Sequence, residues 1–203
     1  MSGRIESSSI PPKPRVKWRM LVVTASLLLA VSGVIAVVLP ITPLYVLSGV
    51  FNGYISLVNY KIEFLGEPLH GVGFEKARLL ALTSIVHGFY VLASGFYLLT
   101  STLRFKSPRE PALYSSILAS LTGFVLPLVL ARARLHVEVD LGYIPRDLEV
   151  LTSAGLLDLG ETSIAETVFA GILRVAPFIL LVLTALSSTM ILLYAVKYKP
   201  GSS

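Results

Sequence analysis

The sequence predicts a mainly α membrane protein, a four-transmembrane-helix bundle with a small extracellular β-sheet cap built from its loops 1 and 3. Three observations carry this fold class. Of 203 residues, 54% are apolar and only 14% are charged, and the mean hydropathy is +0.78, outside the range of ordinary soluble domains. Four stretches are long enough to cross a hydrocarbon core of about 30 Å. Two of the connecting segments alternate apolar and polar residues with the period of a strand.

Composition removes several function classes. The chain has no Cys, which excludes disulfides, thiolate metal sites and cysteine nucleophiles. It has no Gln and two Asn, Asn52 and Asn59, a shortage of thermolabile side chains that points to a thermophile. The net charge is +5, but the basic residues gather at the ends of apolar runs. There they act as a topology signal, and no nucleic-acid partner is expected.

Residues 1–19 read as a flexible, basic cytoplasmic tail, since Pro11, Pro12 and Pro14 interrupt a polar stretch with nothing to bury. Residues 20–203 form a single four-helix transmembrane domain with spans at about 20–39, 77–100, 112–131 and 172–196 and outer loops 40–76 and 132–171. Ser163 followed by Glu166 has the form of a capping box, which predicts that the last helix starts near Ile164. Pro177 predicts a kink inside it.

In the first outer loop, Asn52-Gly53 predicts a type I′ hairpin turn, because both central residues of that turn need positive φ. The following flank puts Tyr54, Ser56, Val58, Tyr60, Ile62 and Phe64 on one strand face. In RLHVEVDL, Leu135, Val137, Val139 and Leu141 alternate with His136, Glu138 and Asp140, predicting a second strand directly after the third span. The two loops then share a sheet. Residues 145–161 have helix-like apolar spacing at Leu148, Leu151, Leu156 and Leu157. An alternative with five spans would make Ile41–Tyr60 a short additional helix.

With the N-terminus inside, the cytoplasmic segments hold ten basic residues and the longer outer loops seven, so both termini are expected inside and the protein in the plasma membrane.

The long, strand-rich first outer loop, the short basic inner loop, the third helix running into a strand, and Arg78 in EKARLLAL at the start of the second span resemble the claudin-like tetraspan proteins. The W-GLW signature and the cysteine pair are absent, and the only Trp is Trp18. The resemblance implies a layout with an extracellular sheet, and it does not extend to paracellular pore or barrier roles.

No phosphate-binding loop, dinucleotide fingerprint, G-x-S-x-G or H-E-x-x-H occurs, so no catalytic residue, metal site or cofactor is expected and the chain reads as a non-enzyme. The expected role is contact with other membrane proteins or with a second copy, in adhesion, scaffolding or as an accessory subunit. Tyr54, Val58, Tyr60, Ile62, Phe64, Val137 and Val139 are its candidate surface. Arg78, Arg132, Arg134 and Arg174 read as helix-end anchors in the lipid bilayer, the last three open either to pairing with Glu138, Asp140 or Glu166 or to contact with lipid head groups.

His87 is the one ionisable group deep in a span. It is either a neutral imidazole bonded to Thr83, Ser84 or Tyr90, or a ligand or proton relay in a cofactor- or ion-handling subunit of a larger complex. Small residues four apart, such as Ser84 and Gly88 or Ala119 and Gly123, pack the bundle internally or mediate self-association.

Overall fold

A computed structural model describes residues 15–105, 108–144 and 162–197. Helix α1 spans Arg15–Val38 and passes through a 3-10 turn, Leu39–Ile41, into strands β1 (Tyr45–Gly49), β2 (Phe51–Ile55), β3 (Tyr60–Phe64) and β4 (Glu67–Pro68). Helix α2 (Val72–Arg104) follows. Helices α3 (Glu110–Thr122) and α4 (Val125–Gly142) come next, and then strand β5 (Thr162–Glu166) and helix α5 (Val168–Lys197). Residues 41–60 are therefore strand in large part, not a fifth helix. Helix α1 begins inside the basic stretch expected to belong to the tail, and the helix expected over 145–161 lies outside the described residues.

Four helical units, α1, α2, the α3–α4 pair and α5, surround a common core. Each is long and apolar enough to cross a membrane. Helices α1 and α2 make the closest pair. A Cβ on Gly88 would lie 2.9 Å from the Ala36 Cβ, and one on Gly33 would lie 2.6 Å from the Leu92 backbone nitrogen. Small residues let the two backbones approach. The Ser84 hydroxyl donates across this seam to the Ala36 carbonyl at 3.2 Å. Ser84, Gly88, Ala119 and Gly123 are all buried inside the bundle.

The third unit is interrupted at Gly123-Phe124. Pro127 has no N–H for the carbonyl four residues back, and the Leu126 N–H bonds Gly123 O instead, at 3.1 Å.

Beyond this break the chain remains helical through Gly142, which corrects the strand expected in RLHVEVDL. Leu126, Leu130, Ala133 and Val137 are buried at spacings of four, three and four, the stripe of an amphipathic helix. Leu135 and Val139 are exposed. Arg134 and Glu138 form an i,i+4 ion pair at 2.7 Å, which a helix permits and a strand does not. The alternation was a coincidence of charged residues falling between two positions of a longer period.

The sheet is antiparallel with order β4-β3-β2-β1-β5. Both loops contribute to it, but the second supplies Thr162–Glu166, not 135–141. Ser163 and Glu166 thus sit in a strand, with Ser48↔Ser163 and Tyr45↔Glu166 in register. Five ladder positions on β1 outcompete a capping box, and α5 starts at Val168.

Asn52-Gly53 is likewise inside β2, opposite Glu63 and Ile62. Gly53 has φ 142°, and a Cβ there would meet the Lys61 carbonyl oxygen at 1.8 Å, so glycine is needed for strand approach and not for a turn. The tight turn with two positive φ values is Leu65-Gly66, at 50° and 87°, joining β3 to β4. The β1–β2 reversal uses Gly49, φ 103°.

Candidate functional site

The sheet has one face on the helices, and its other face is not covered by a helix among the described residues. Tyr45, Leu47, Phe51, Ile55 and Ile62 are buried and cap the core at one end of the bundle. On the opposite face, cross-strand register aligns Ala165, Val46, Tyr54 and Lys61 in one row. Val46 is 43% exposed and Tyr54 38%, while Lys61 pairs with Glu63 at 2.8 Å. The Tyr54 hydroxyl accepts from Asn59 Nδ2 at 3.1 Å. This face is a small apolar ridge with a charged margin.

Tyr54 and Ile62 consequently lie on opposite faces. The alternation expected from Tyr54 to Phe64 is broken at Ser56–Asn59, where the Ser56 N–H and hydroxyl both bond the Asn59 carbonyl, at 2.8 and 2.7 Å. Ile62 and Val137 are in the core. Val58, Tyr60 and Phe64 are partly buried against it, Tyr60 on Phe74 and Phe64 on Phe51 with ring centroids 4.8 and 4.9 Å apart. Of the seven expected contact residues, Tyr54 and Val139 are the exposed ones. Val46 and Ala165 were missed because a residue's face depends on register across strands far apart in the chain.

Beneath the sheet, a cavity of ≈ 510 Å³ is lined by residues including Phe51, Ile62, Leu69, Phe74, Asp140 and Tyr143. Its polar lining includes His70 and Asp140, and Asp140 Oδ2 accepts from the Phe74 N–H at 2.9 Å. A Cβ at Gly73 would fall 2.3 Å from Asp140 Oδ1, and one at Gly71 2.4 Å from Oδ2. The sequence G-V-G-F therefore admits a carboxylate against the first turn of α2, where free N–H groups and the helix dipole favour negative charge.

Arg174 pairs with Glu166 and Arg134 with Glu138, the pairing alternative in both cases, whereas Asp140 takes the helix terminus. Arg78 lies 3.9 Å from Glu75, and Arg132 is exposed. Burial, reinforced by Glu138 and Glu166, raises the Tyr45 hydroxyl above its usual pKa. Burial and a hydrogen bond to Glu75 at 3.1 Å do the same for Tyr60.

The chain matches no protein-family model, no curated protein and no solved structure. Its function must be argued from its own geometry.

His87 is half-buried in α2, with its ring 5.9 Å from Tyr90. None of the three expected hydroxyl partners reaches it. Thr83 bonds Leu79 O, Ser84 bonds Ala36 O and Tyr90 bonds Ser115 O. His87 Nε2 is buried with no hydrogen-bond partner among the described residues. His70 and His136 do not join it, and among those residues no three His, Asp or Glu side chains converge to hold a metal.

Proposed function

We propose that this chain is a non-enzymatic, multi-pass plasma-membrane protein, with both termini in the cytoplasm, whose extracellular sheet binds another membrane protein or a second copy of itself. The observation that carries the reading is the exposed row Ala165–Val46–Tyr54 on a sheet whose other face packs Tyr45, Leu47, Phe51, Ile55 and Ile62 into the core. A rigid aromatic anchor beside small apolar residues, with charges at the margin, is the pattern of a binding surface.

Membrane insertion is supported by matched uncharged lengths. Helix α5 has 22 uncharged residues between Arg174 and Lys197, and the α3–α4 unit has 21 between Glu110 and Arg132. At 1.5 Å per residue both cover about 30 Å. On that depth scale the last 11 residues of α4, 132–142, extend about 16 Å beyond the hydrocarbon core. Orientation rests on the basic residues at the opposite end, among them Lys17, Arg19, Arg104, Arg109 and Lys197. One strand-rich loop and a second loop meeting in one sheet also support the claudin-like layout, although the third helix does not run into a strand.

The test has two parts. Ser48→Cys and Ser163→Cys, both exposed on the sheet, are expected to label with an impermeant thiol reagent on intact cells. Val46→Asp with Tyr54→Asp is expected to abolish cross-linked complexes in native membranes while leaving the melting temperature unchanged. Labelling only after lysis would reverse the topology, and complexes that survive the double substitution would remove the sheet as the contact face.

A second reading, a cofactor- or ion-handling subunit, is favoured by one observation, the buried Nε2 of His87, which has no hydrogen-bond partner among the described residues. A haem absorption band or a stoichiometric metal lost in His87→Ala would select it.

A further inference from the structure

The bundle end opposite the sheet holds a cavity of ≈ 610 Å³ where α2 ends and α3 begins, lined by residues including Tyr97, Thr100, Leu103, Arg104, Phe105 and Arg109. Arg109 is fixed in place. Its backbone N–H donates to the Ser101 hydroxyl at 2.7 Å, and its guanidinium lies over the Phe105 ring, 4.1 Å from the centroid.

Three of the four described arginines at the sheet end, Arg78, Arg134 and Arg174, lie within ion-pair distance of a carboxylate, Arg132 being the exception, and neither Arg104 nor Arg109 does so among the described residues. Arg104 and Arg109 both line this one cavity. Arg109 is also the residue preceding α3, a terminus with no side-chain cap, where the helix dipole favours an anion and the Glu110 carboxylate in the first turn offsets part of that field. The remaining wall mixes the Thr100 and Ser101 hydroxyl residues with Tyr97, Leu103 and Phe105. Tyr97 is 43% exposed and Leu103 57%, and they continue the row of exposed apolar residues along α2.

We propose that this cavity binds the headgroup of an anionic phospholipid of the cytoplasmic leaflet, with the phosphate between Arg104 and Arg109 and the acyl chains along Leu103 and Tyr97. Arginine's planar donor set matches a phosphate, and basic pockets between membrane helices on the cytoplasmic side recognise such headgroups. A free phosphate would satisfy the guanidinium groups but leave the apolar part of the wall uncovered. The inference rests on the membrane reading and its orientation.

Purified full-length protein is reconstituted into nanodiscs of phosphatidylcholine doped with phosphatidylglycerol, and the lipid it retains is quantified by mass spectrometry. Phosphatidylglycerol is expected to be enriched about tenfold over the bulk ratio. The enrichment is expected to vanish in R104Q/R109Q and to persist in R78Q/R132Q at the other end, with inorganic phosphate failing to displace the lipid. No enrichment in the wild type overturns the site, as does enrichment that survives R104Q/R109Q. Displacement by inorganic phosphate makes it a plain anion site and overturns the lipid assignment. Failure to enter nanodiscs defeats the membrane reading and the lipid site with it, whereas entry without enrichment defeats the lipid site alone.

Discussion

The carboxylate of Asp140, in the last turn of α4, accepts a hydrogen bond from the backbone N–H of Phe74, the third residue of α2, at 2.9 Å. One helix thus caps another across 66 positions of sequence, a role usually taken by the residue just before a helix. Asp140→Ala is expected to cost about 1 kcal/mol. Gly73→Ala is expected to cost more, because its Cβ would strike the carboxylate. In the Asp140→Ala background most of that added cost disappears, so thermal melts of the two single variants and the double variant give a coupling well above measurement error. Strict additivity would mean that Gly73 is required for some other reason.

Leu65 carries φ 50° at the β3–β4 turn and is 62% exposed. A leucine there strains the backbone and buries little in return, so Leu65→Gly is expected to leave the fold unchanged or stabilise it by about 1 kcal/mol. A lower melting temperature would show that the side chain packs where it looks free.

Gly88 sits where α1 and α2 touch. Gly88→Val must push Ala36 and Val37 aside, and a cost of about 3 kcal/mol is expected from overpacking. The comparison is Leu82→Ala on the exposed side of the same helix, which is expected to change the melting temperature little in detergent. Equal effects would contradict the seam.

The raised pKa values of Tyr45 and Tyr60 predict an alkaline limit. The folded state holds these protons more tightly than the unfolded chain, so their contribution is complete below about pH 10 and falls as pH rises through the folded values. Melting temperatures from about pH 8 to 11 are expected to decline at the upper end. Tyr60→Phe, which has no proton to lose, is expected to decline less steeply than the wild type.

His87 Nε2 has no partner among the described residues, and an unpaired buried nitrogen lowers stability. His87→Leu is therefore expected to be neutral or to raise the melting temperature. A clear loss of stability would mean that the imidazole is bound by something, and would move weight to the second reading.

Legibility in the sequence followed the range of the interaction. The four apolar helices could be read directly, because a run of about 20 uncharged residues is a local property with few competing structures. That both loops contain strand was also readable, and in the first loop so was much of where it lies, Tyr45–Gly49 and Tyr60–Phe64 among it, but the position of the turns and the strand of the second loop were not. Thr162–Glu166 carries a good helix-start signal and becomes a strand because β1 offers it a five-residue ladder. Residues 135–141 alternate and remain helical because their neighbours on a longer period, Leu130, Ala133 and Val137, are buried. Asn52-Gly53 satisfies every local rule for a turn, yet Gly53 is used for backbone approach to Lys61.

By itself the sequence determined the helices, the lengths matched to a bilayer and the bias of basic residues toward one end, since each follows from hydropathy and charge summed over a contiguous stretch. Only the tertiary structure decided the strand register, the exposed row of Ala165, Val46 and Tyr54, the Asp140 cap on α2 and the cavity holding Arg104 and Arg109. These depend on which distant segments pair and how closely their backbones approach, and a local pattern carries no term for a partner it does not contain.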